Sequence, residues 1–225
     1  MSHGVSILIP TMFDSRYVIE IAIKSIKRYT SYSDYKIIVA DAGVDEETHA
    51  YLSGLNDITF IKATDWMRPK DDLADAVDTD YYITMHDDVR VFKDKWIENR
   101  LKLMNKDDRN AIVGTVTKNY GKDKRFFPLG LMVKTSAARE LGLKWGKQPD
   151  EGHDTGSLAY KTFSAQKKYK FVTYKFTKDI HHYAQMTWPK YKNESNYDKE
   201  KLARLMKERD EKMREIRHLL DTDSY

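Results

Sequence analysis

The chain of 225 residues contains no cysteine. That absence removes disulfide frameworks, Cys-ligated zinc, iron–sulfur clusters and thiol nucleophiles, and it suits a reducing compartment. No stretch approaches the roughly 20 consecutive apolar residues of a membrane-spanning helix. The segment Met1-Ser2-His3-Gly4-Val5-Ser6 has neither a basic n-region nor an apolar h-region. A cytoplasmic location with no membrane span is therefore expected. An excess of one charge is also lacking: 39 Lys plus Arg stand against 35 Asp plus Glu, a net of +4. The signs are interspersed, so no nucleic-acid partner is expected, although weak attraction to anionic partners stays open. No G-x-x-x-x-G-K-[ST] is present and no G-x-G-x-x-G follows the first apolar run, which disfavours P-loop enzymes and dinucleotide oxidoreductases. There is no internal repeat and no low-complexity linker.

What is there is an ordinary globular composition, 40% hydrophobic, at a length that buries roughly 70% of its unfolded surface in a full core. Fifteen tyrosines and four tryptophans suit sugar or base stacking as well as core packing. Val5-Ser6-Ile7-Leu8-Ile9 is a short β-branched run ended by Pro10, read as a strand buried on both faces. Asp14 or Ser15 can cap a helix over Tyr17 to Tyr29, whose apolar residues lie mostly on one side, with Lys24, Lys27 and Arg28 near its C-terminal end. Lys36-Ile37-Ile38-Val39-Ala40 reads as a second strand ending at Asp41. Strand, helix and strand in about 40 residues make a βαβ unit, which forces parallel pairing. The alternation continues with a helix from Asp45 to Leu55, a strand at 58–61, a helix from Asp71 to Val77 and a strand at 81–85. A helix at 96–104 and a strand at 111–116 follow. Later strands are read at 131–133 and 171–174 and a helix at 155–165, among loops marked by Gly and Pro.

Ligands of a parallel sheet bind beyond the carboxyl ends of its strands. Those ends carry Pro10 and Thr11, then Asp41-Ala42-Gly43, then His86-Asp87-Asp88. Convergent carboxylates are costly unless a cation is bound, and Mg²⁺ or Mn²⁺ on one or two carboxylates completes its shell with phosphate oxygens. The competing reading of Asp87 and Asp88 is an Asx turn that caps the next helix. His181-His182, after another strand-like stretch, could complete a mixed oxygen and nitrogen shell. Arg68, Lys70, Arg125 and Lys190 could neutralise a leaving diphosphate. Asp154, with Asp150 and Glu151 as rivals, lies in a Gly- and Pro-rich loop that can present a base. Trp66, Trp145 and Trp188 could stack on a sugar or pack in the core. Met186 to Tyr191 could close over bound diphosphate or simply connect to the last helix.

Three blocks, Val5 to Thr11, Ile37 to Thr48 and Tyr81 to Val89, resemble the leading blocks of family 2 type, GT-A fold glycosyltransferases. Gly130 to Lys134 with Glu140-Leu141-Gly142, Asp154 ahead of Leu158 to Lys161, and Ile180-His181-His182 extend the resemblance to about residues 5–185. It implies an α/β fold: a doubly wound, mainly parallel central sheet with flanking helices. Residues 1–190 would form the catalytic domain and residues 191–225 an appended helical extension. Nucleotide-sugar binding would fall to Pro10, Thr11, Asp41, Arg68, Asp87, Trp188 and Lys190. The metal, Mn²⁺ or Mg²⁺, would be held by Asp88 of a D-x-D type motif, by His181, and by His86 in the motif's first position. Asp154 would be the catalytic base, and transfer to a glycan or other hydroxyl acceptor would invert the anomeric centre. Ala42 stands where the family often has a second acidic or amide residue.

Two other readings compete: a nucleotidyltransferase-like phosphate-handling enzyme, and a non-catalytic α/β binding module. The tail from Asn196 to Leu220 lies outside the resemblance. Its apolar stripe at positions 202, 205, 206, 213, 216, 219 and 220 is too long to leave bare in water. Docking on the parent domain, a homodimer through this helix, and a membrane surface are the three ways to cover it, in that order of expectation.

Overall fold

The computed structural model describes residues 4–13, 15–118, 124–146, 155–184, 186 and 199–225. Its frame is a seven-stranded sheet built in alternation with helices. In chain order these are β1 (Val5–Phe13), α1 (Arg16–Tyr29), β2 (Tyr35–Val44), α2 (Glu46–Ser53), β3 (Ile58–Lys62), α3 (Pro69–Asp75), β4 (Tyr81–Thr84), β5 (Val89–Val91) and α4 (Trp96–Met104). Then come β6 (Asn110–Lys118), β7 (Lys124–Lys134), α5 (Thr135–Leu141), α6 (Ser157–Ser164), β8 (Lys170–Thr173), β9 (Ile180–His182) and α7 (Lys199–Asp221). The spatial order is β3-β2-β1-β4-β7-β6-β8, with β5 and β9 forming a separate antiparallel pair. All neighbours in the sheet run parallel except β7, which is antiparallel to both β4 and β6. The expected doubly wound, mainly parallel architecture is the one observed.

Alternating side chains of the strands feed two cores. Val5, Ile7 and Ile9 pack with Ile19, Ala22, Ile23 and Ile26 of α1 and with Trp96 and Ile97 of α4. Leu8, Ile38 and Ala40 pack on the opposite face with Leu73 of α3, Ala137 and Ala138 of α5, and Ala159 and Phe163 of α6. Both faces are covered, which is why the strands read as unbroken apolar runs rather than as alternations.

The boundaries move where local chemistry competes with pattern. β1 does not stop at Pro10 but runs on to Phe13 beside β2. Pairing with β4 ends at Leu8–Thr84, and the Leu8 carbonyl still accepts from the Met85 N–H. Pro10 faces the same side as Leu8, beyond the end of β4, so its missing N–H breaks no ladder bond. β7 begins at Lys124, seven residues before the expected strand. Pro128 and Gly130, taken as loop markers, lie inside it, where Gly130 has φ of +64°. The helix α5, which ends on Gly142 in the left-handed region, was not among the expected elements.

The last helix docks on the parent fold. Ile216 and Tyr225 are buried against Val18 and Ile21 of α1 and against Tyr183 and Met186, with Met213, Leu219 and Leu220 packed around them. Arg209 Nε donates to the Met186 carbonyl at 2.9 Å and Lys212 Nζ to the Ala184 carbonyl at 2.9 Å. Met206, counted in the apolar stripe, is 39% exposed, so the covered stripe is narrower than the sequence pattern. No described helix is long and apolar enough to cross a membrane.

Candidate active site

The strand order reverses at β1, whose neighbours β2 and β4 lead to opposite edges of the sheet. A crevice opens at such a switch point, beyond the carboxyl ends of the strands. The structure ties its two lips together: the Thr11 hydroxyl donates to Asp87 Oδ2 at 3.0 Å and lies 2.8 Å from the Ser15 hydroxyl. Ser15 occupies the N-cap position of α1 but makes no side-chain cap bond. Pro10 pairs with Ala40 and Thr11 with Asp41, so these residues share one edge of the crevice.

Asp41 is buried, and its carboxylate already has partners. Oδ1 accepts from the N–H groups of Gly43 at 2.8 Å and Val44 at 3.0 Å, and Oδ2 accepts from Lys62 Nζ at 3.0 Å. Burial works against the charge, but the two N–H groups and Lys62 outweigh it and hold the carboxyl below its usual range. Oδ2 keeps acceptor capacity toward the crevice.

Beyond β4, His86, Asp88 and His182 offer one ligand atom each, all within 4.8 Å of one another. His182 Nε2 is 3.1 Å from Asp88 Oδ1, and His86 Nδ1 is 3.8 Å from the same oxygen. The two imidazoles meet edge to face at 5.2 Å, and Phe127 of β7 lies 6.1 Å from one ring and 6.3 Å from the other. Burial drives the His86 pKa down to about 3, with Lys70 adding to the effect. Burial also penalises the Asp88 carboxylate, yet the hydrogen bond and charge of His182 leave its pKa lowered. Asp87 goes the other way, raised by burial and by the adjacent Asp88. A neutral imidazole beside an ionised carboxylate is the protonation pattern a cation requires. Lys70 donates to the Met85 carbonyl at 3.4 Å, and burial lowers its pKa to about 8 against the pull of Asp87 and Asp88.

The short β5–β9 ladder brings Asp88 and His182 together. Val89 pairs with His182, Arg90 with His181 and Val91 with Ile180, and the Tyr183 N–H donates to the Asp88 carbonyl at 2.9 Å. Successive side chains of β9 point to opposite faces. His182 therefore faces the cluster, while His181 is exposed on the other side, its ring 4.7 Å from Tyr183. Of the histidine pair, the structure brings the second to Asp88, where the first had been expected. Period-two alternation from the buried Ile180 was the signal that could have separated them.

A buried ion pair anchors the start of β9. Arg100 and Asp179 are both fully buried, with Nη1–Oδ2 at 2.9 Å and Nη2–Oδ1 at 3.1 Å. Arg100 also donates to the carbonyls of Trp96 and Gly130, and the Tyr174 hydroxyl donates to Asp179 at 2.7 Å. The Asp179 carbonyl accepts from the Phe92 N–H. A Cβ at Gly130 would meet Ile180 Cδ1 at 2.8 Å and Arg100 Nη2 at 2.9 Å, so glycine is needed for this approach as well as for its φ.

The other candidates are placed unevenly. Arg68 precedes α3, is exposed, and pairs with Asp65 at 3.4 Å. Trp66 is 49% exposed, whereas Trp145 is core, its indole N–H bonded to the Tyr82 hydroxyl at 2.9 Å. The Arg125 guanidinium stands 6.0 Å from the Phe127 ring. Asp150, Glu151, Asp154, Trp188 and Lys190 lie outside the described residues.

The seven-stranded, mainly parallel sheet with its flanking helices is a GT-A type glycosyltransferase fold, shared with the solved structures below. The chain belongs to glycosyl transferase family 2, whose sequence model matches residues 6–171. Among solved structures it is similar to the mannosyltransferase PcManGT from Pyrobaculum calidifontis, in complex with GDP-Man and Mn²⁺. The TM-score is 0.60 at 14% identity, over 85% of this chain and 60% of that one. It is also similar to S. aureus TarS 1–349, with a TM-score of 0.57 at 8% identity, over 92% of this chain and 70% of that one. The chain thus spans about 60% of the length of the mannosyltransferase. No curated protein matches it in sequence.

Proposed function

We propose that this chain transfers a sugar from a nucleotide-diphosphate donor to an acceptor hydroxyl with the help of a divalent cation at His86, Asp88 and His182. The observation that carries the reading is the convergence of these three side chains at the switch-point crevice. Two imidazole nitrogens and one carboxylate oxygen suit Mn²⁺ better than Mg²⁺, which prefers oxygen throughout. The mannosyltransferase to which the fold is similar is itself a complex with GDP-Man and Mn²⁺. When bound, such an ion supplies positive charge to the departing diphosphate.

The chain's own residues would do the rest. Lys70 adds a cation beside the same carboxylates. Thr11 orients Asp87 by its hydrogen bond, and Asp41 keeps one acceptor position toward the crevice for a ribose hydroxyl or a base. In the inverting transfer that the resemblance implies, the acceptor oxygen attacks the anomeric carbon opposite the diphosphate. The new C–O bond forms as the bond to the diphosphate oxygen breaks, and the acceptor proton passes to Asp154.

The test is a thermal-shift screen of UDP-, GDP- and dTDP-sugars with and without Mn²⁺, followed by calorimetry on Asp88→Asn. A donor at 100 times its Kd stabilises by about 2.7 kcal/mol. One donor class should raise the melting temperature only with Mn²⁺, and Asp88→Asn should abolish that dependence. Unchanged donor affinity of Asp88→Asn in Mn²⁺ would remove the cluster from the reaction.

A further inference from the structure

The terminal helix does more than cover apolar surface. Together with the start of α1 it walls a cavity of about 360 Å³ whose charged lining is Arg16, Arg209, Arg214 and Arg217 against Glu47 and Asp210. Four guanidinium groups and two carboxylates line it, and one of the four, Arg16, is also paired with Glu20 behind the wall. Asp210, Arg214 and Arg217 share one helical face by their i, i+4, i+7 spacing, while Glu208, Glu211 and Glu215 fall on the side away from it.

Three of the four guanidiniums are held in place. Arg16 lies over the Tyr51 ring at 3.7 Å and pairs with Glu20, Arg217 lies over Tyr17 at 4.4 Å, and Arg209 is fixed by its bond to the Met186 carbonyl. Held arginines lose little rotamer freedom when they bind, and a planar fork matches phosphate oxygens in bidentate fashion. Arg16 and Tyr17 directly follow Ser15, which is joined through Thr11 to Asp87. None of its lining residues belongs to the His86, Asp88 and His182 cluster.

We propose that α1 and α7 together form a binding site for a phosphate-type dianion, a phosphomonoester or diphosphate group carried by a ligand other than the metal-bound donor. The arginine-rich lining matches such a group in sign. This site is independent of the metal reading and stands whether or not the histidine cluster holds an ion. Its chemistry fits a soluble phosphorylated saccharide or a phospholipid headgroup, which the experiment separates.

The experiment titrates the full chain with inorganic pyrophosphate by calorimetry in EDTA. Wild type and Asp88→Asn should bind equally, whereas Arg214→Glu/Arg217→Glu should bind at least tenfold more weakly. A Lys102→Glu/Lys106→Glu control, with both exposed lysines outside the cavity, should bind within twofold of wild type. Arg214→Gln/Arg217→Gln gives the same reading if the charge reversal disturbs folding. Flotation with phosphatidylcholine vesicles, with and without phosphatidate, assigns the source: capture that needs phosphatidate points to a headgroup, and pyrophosphate binding without capture points to a soluble ligand. Absence of pyrophosphate binding, equal affinity in the arginine variants, or an equal loss in the lysine control would overturn the proposal.

Discussion

Replacing Asp179 by Asn keeps the side-chain shape and deletes one charge of the pair with Arg100. Both residues are fully buried, so the guanidinium left behind has no water to turn to. It keeps the Trp96 and Gly130 carbonyls but loses the carboxylate that pairs with it. Removing one member of a buried pair costs about 3–5 kcal/mol, mostly because the other is stranded. For a chain of this size about 1 kcal/mol corresponds to a shift of roughly 2–4 °C. The expected fall in melting temperature for Asp179→Asn is therefore roughly 6–20 °C, read by circular dichroism. Tyr174→Phe, which removes the 2.7 Å hydrogen bond to the carboxylate, should cost about 1.5–3 kcal/mol. Because Asp179 immediately precedes β9, Mn²⁺ affinity measured well below the melting transition should also fall. A melting temperature within 2 °C of wild type would refute the reasoning, since it would mean that the stranded guanidinium finds compensation.

His182→Ala should weaken Mn²⁺ binding at least tenfold by calorimetry while His181→Ala stays within twofold; equal losses would break the assignment drawn from the β9 alternation. Ile216→Ala, at a fully buried position, should cost about 2–5 kcal/mol in urea unfolding, and donor binding by the folded fraction should persist. Gly156→Ala should destabilise more than an ordinary surface change, because φ is +79° and the new Cβ would lie 2.3 Å from the Phe126 carbonyl oxygen; a melting temperature equal to wild type would show that the loop relaxes freely.

The first four strands of the central sheet could be read from sequence because each is a short apolar run, buried on both faces in β1, β2 and β4, and the α1, α2 and α4 helices followed within a few residues at either end. What escaped was structure whose signals point elsewhere. Three-residue strands such as Val89–Val91 carry no period of their own and form only because a distant partner arrives. The first half of β7 was hidden by Pro128 and Gly130, residues that usually mark loops, although Gly130 here sits where the backbone passes close to Arg100 and Ile180. The acid and histidine content of the crevice was legible from strand ends. Choosing between adjacent histidines required the ladder register. Lys70 was one of four candidate cations for the diphosphate and nothing in the sequence set it apart from the other three, because burial beside two carboxylates is a tertiary property.

The β5–β9 ladder also fixes when the crevice is completed. Arg100 and Asp179 are 79 residues apart, and His182 lies beyond both. At roughly 5–20 residues per second of synthesis, about 4–16 s separate the emergence of the arginine from that of its partner. Throughout that interval β1 to β4 can already pair while Asp88 lacks His182. The young sheet then carries only part of the cluster, which is completed when β9 zips against Val89–Val91.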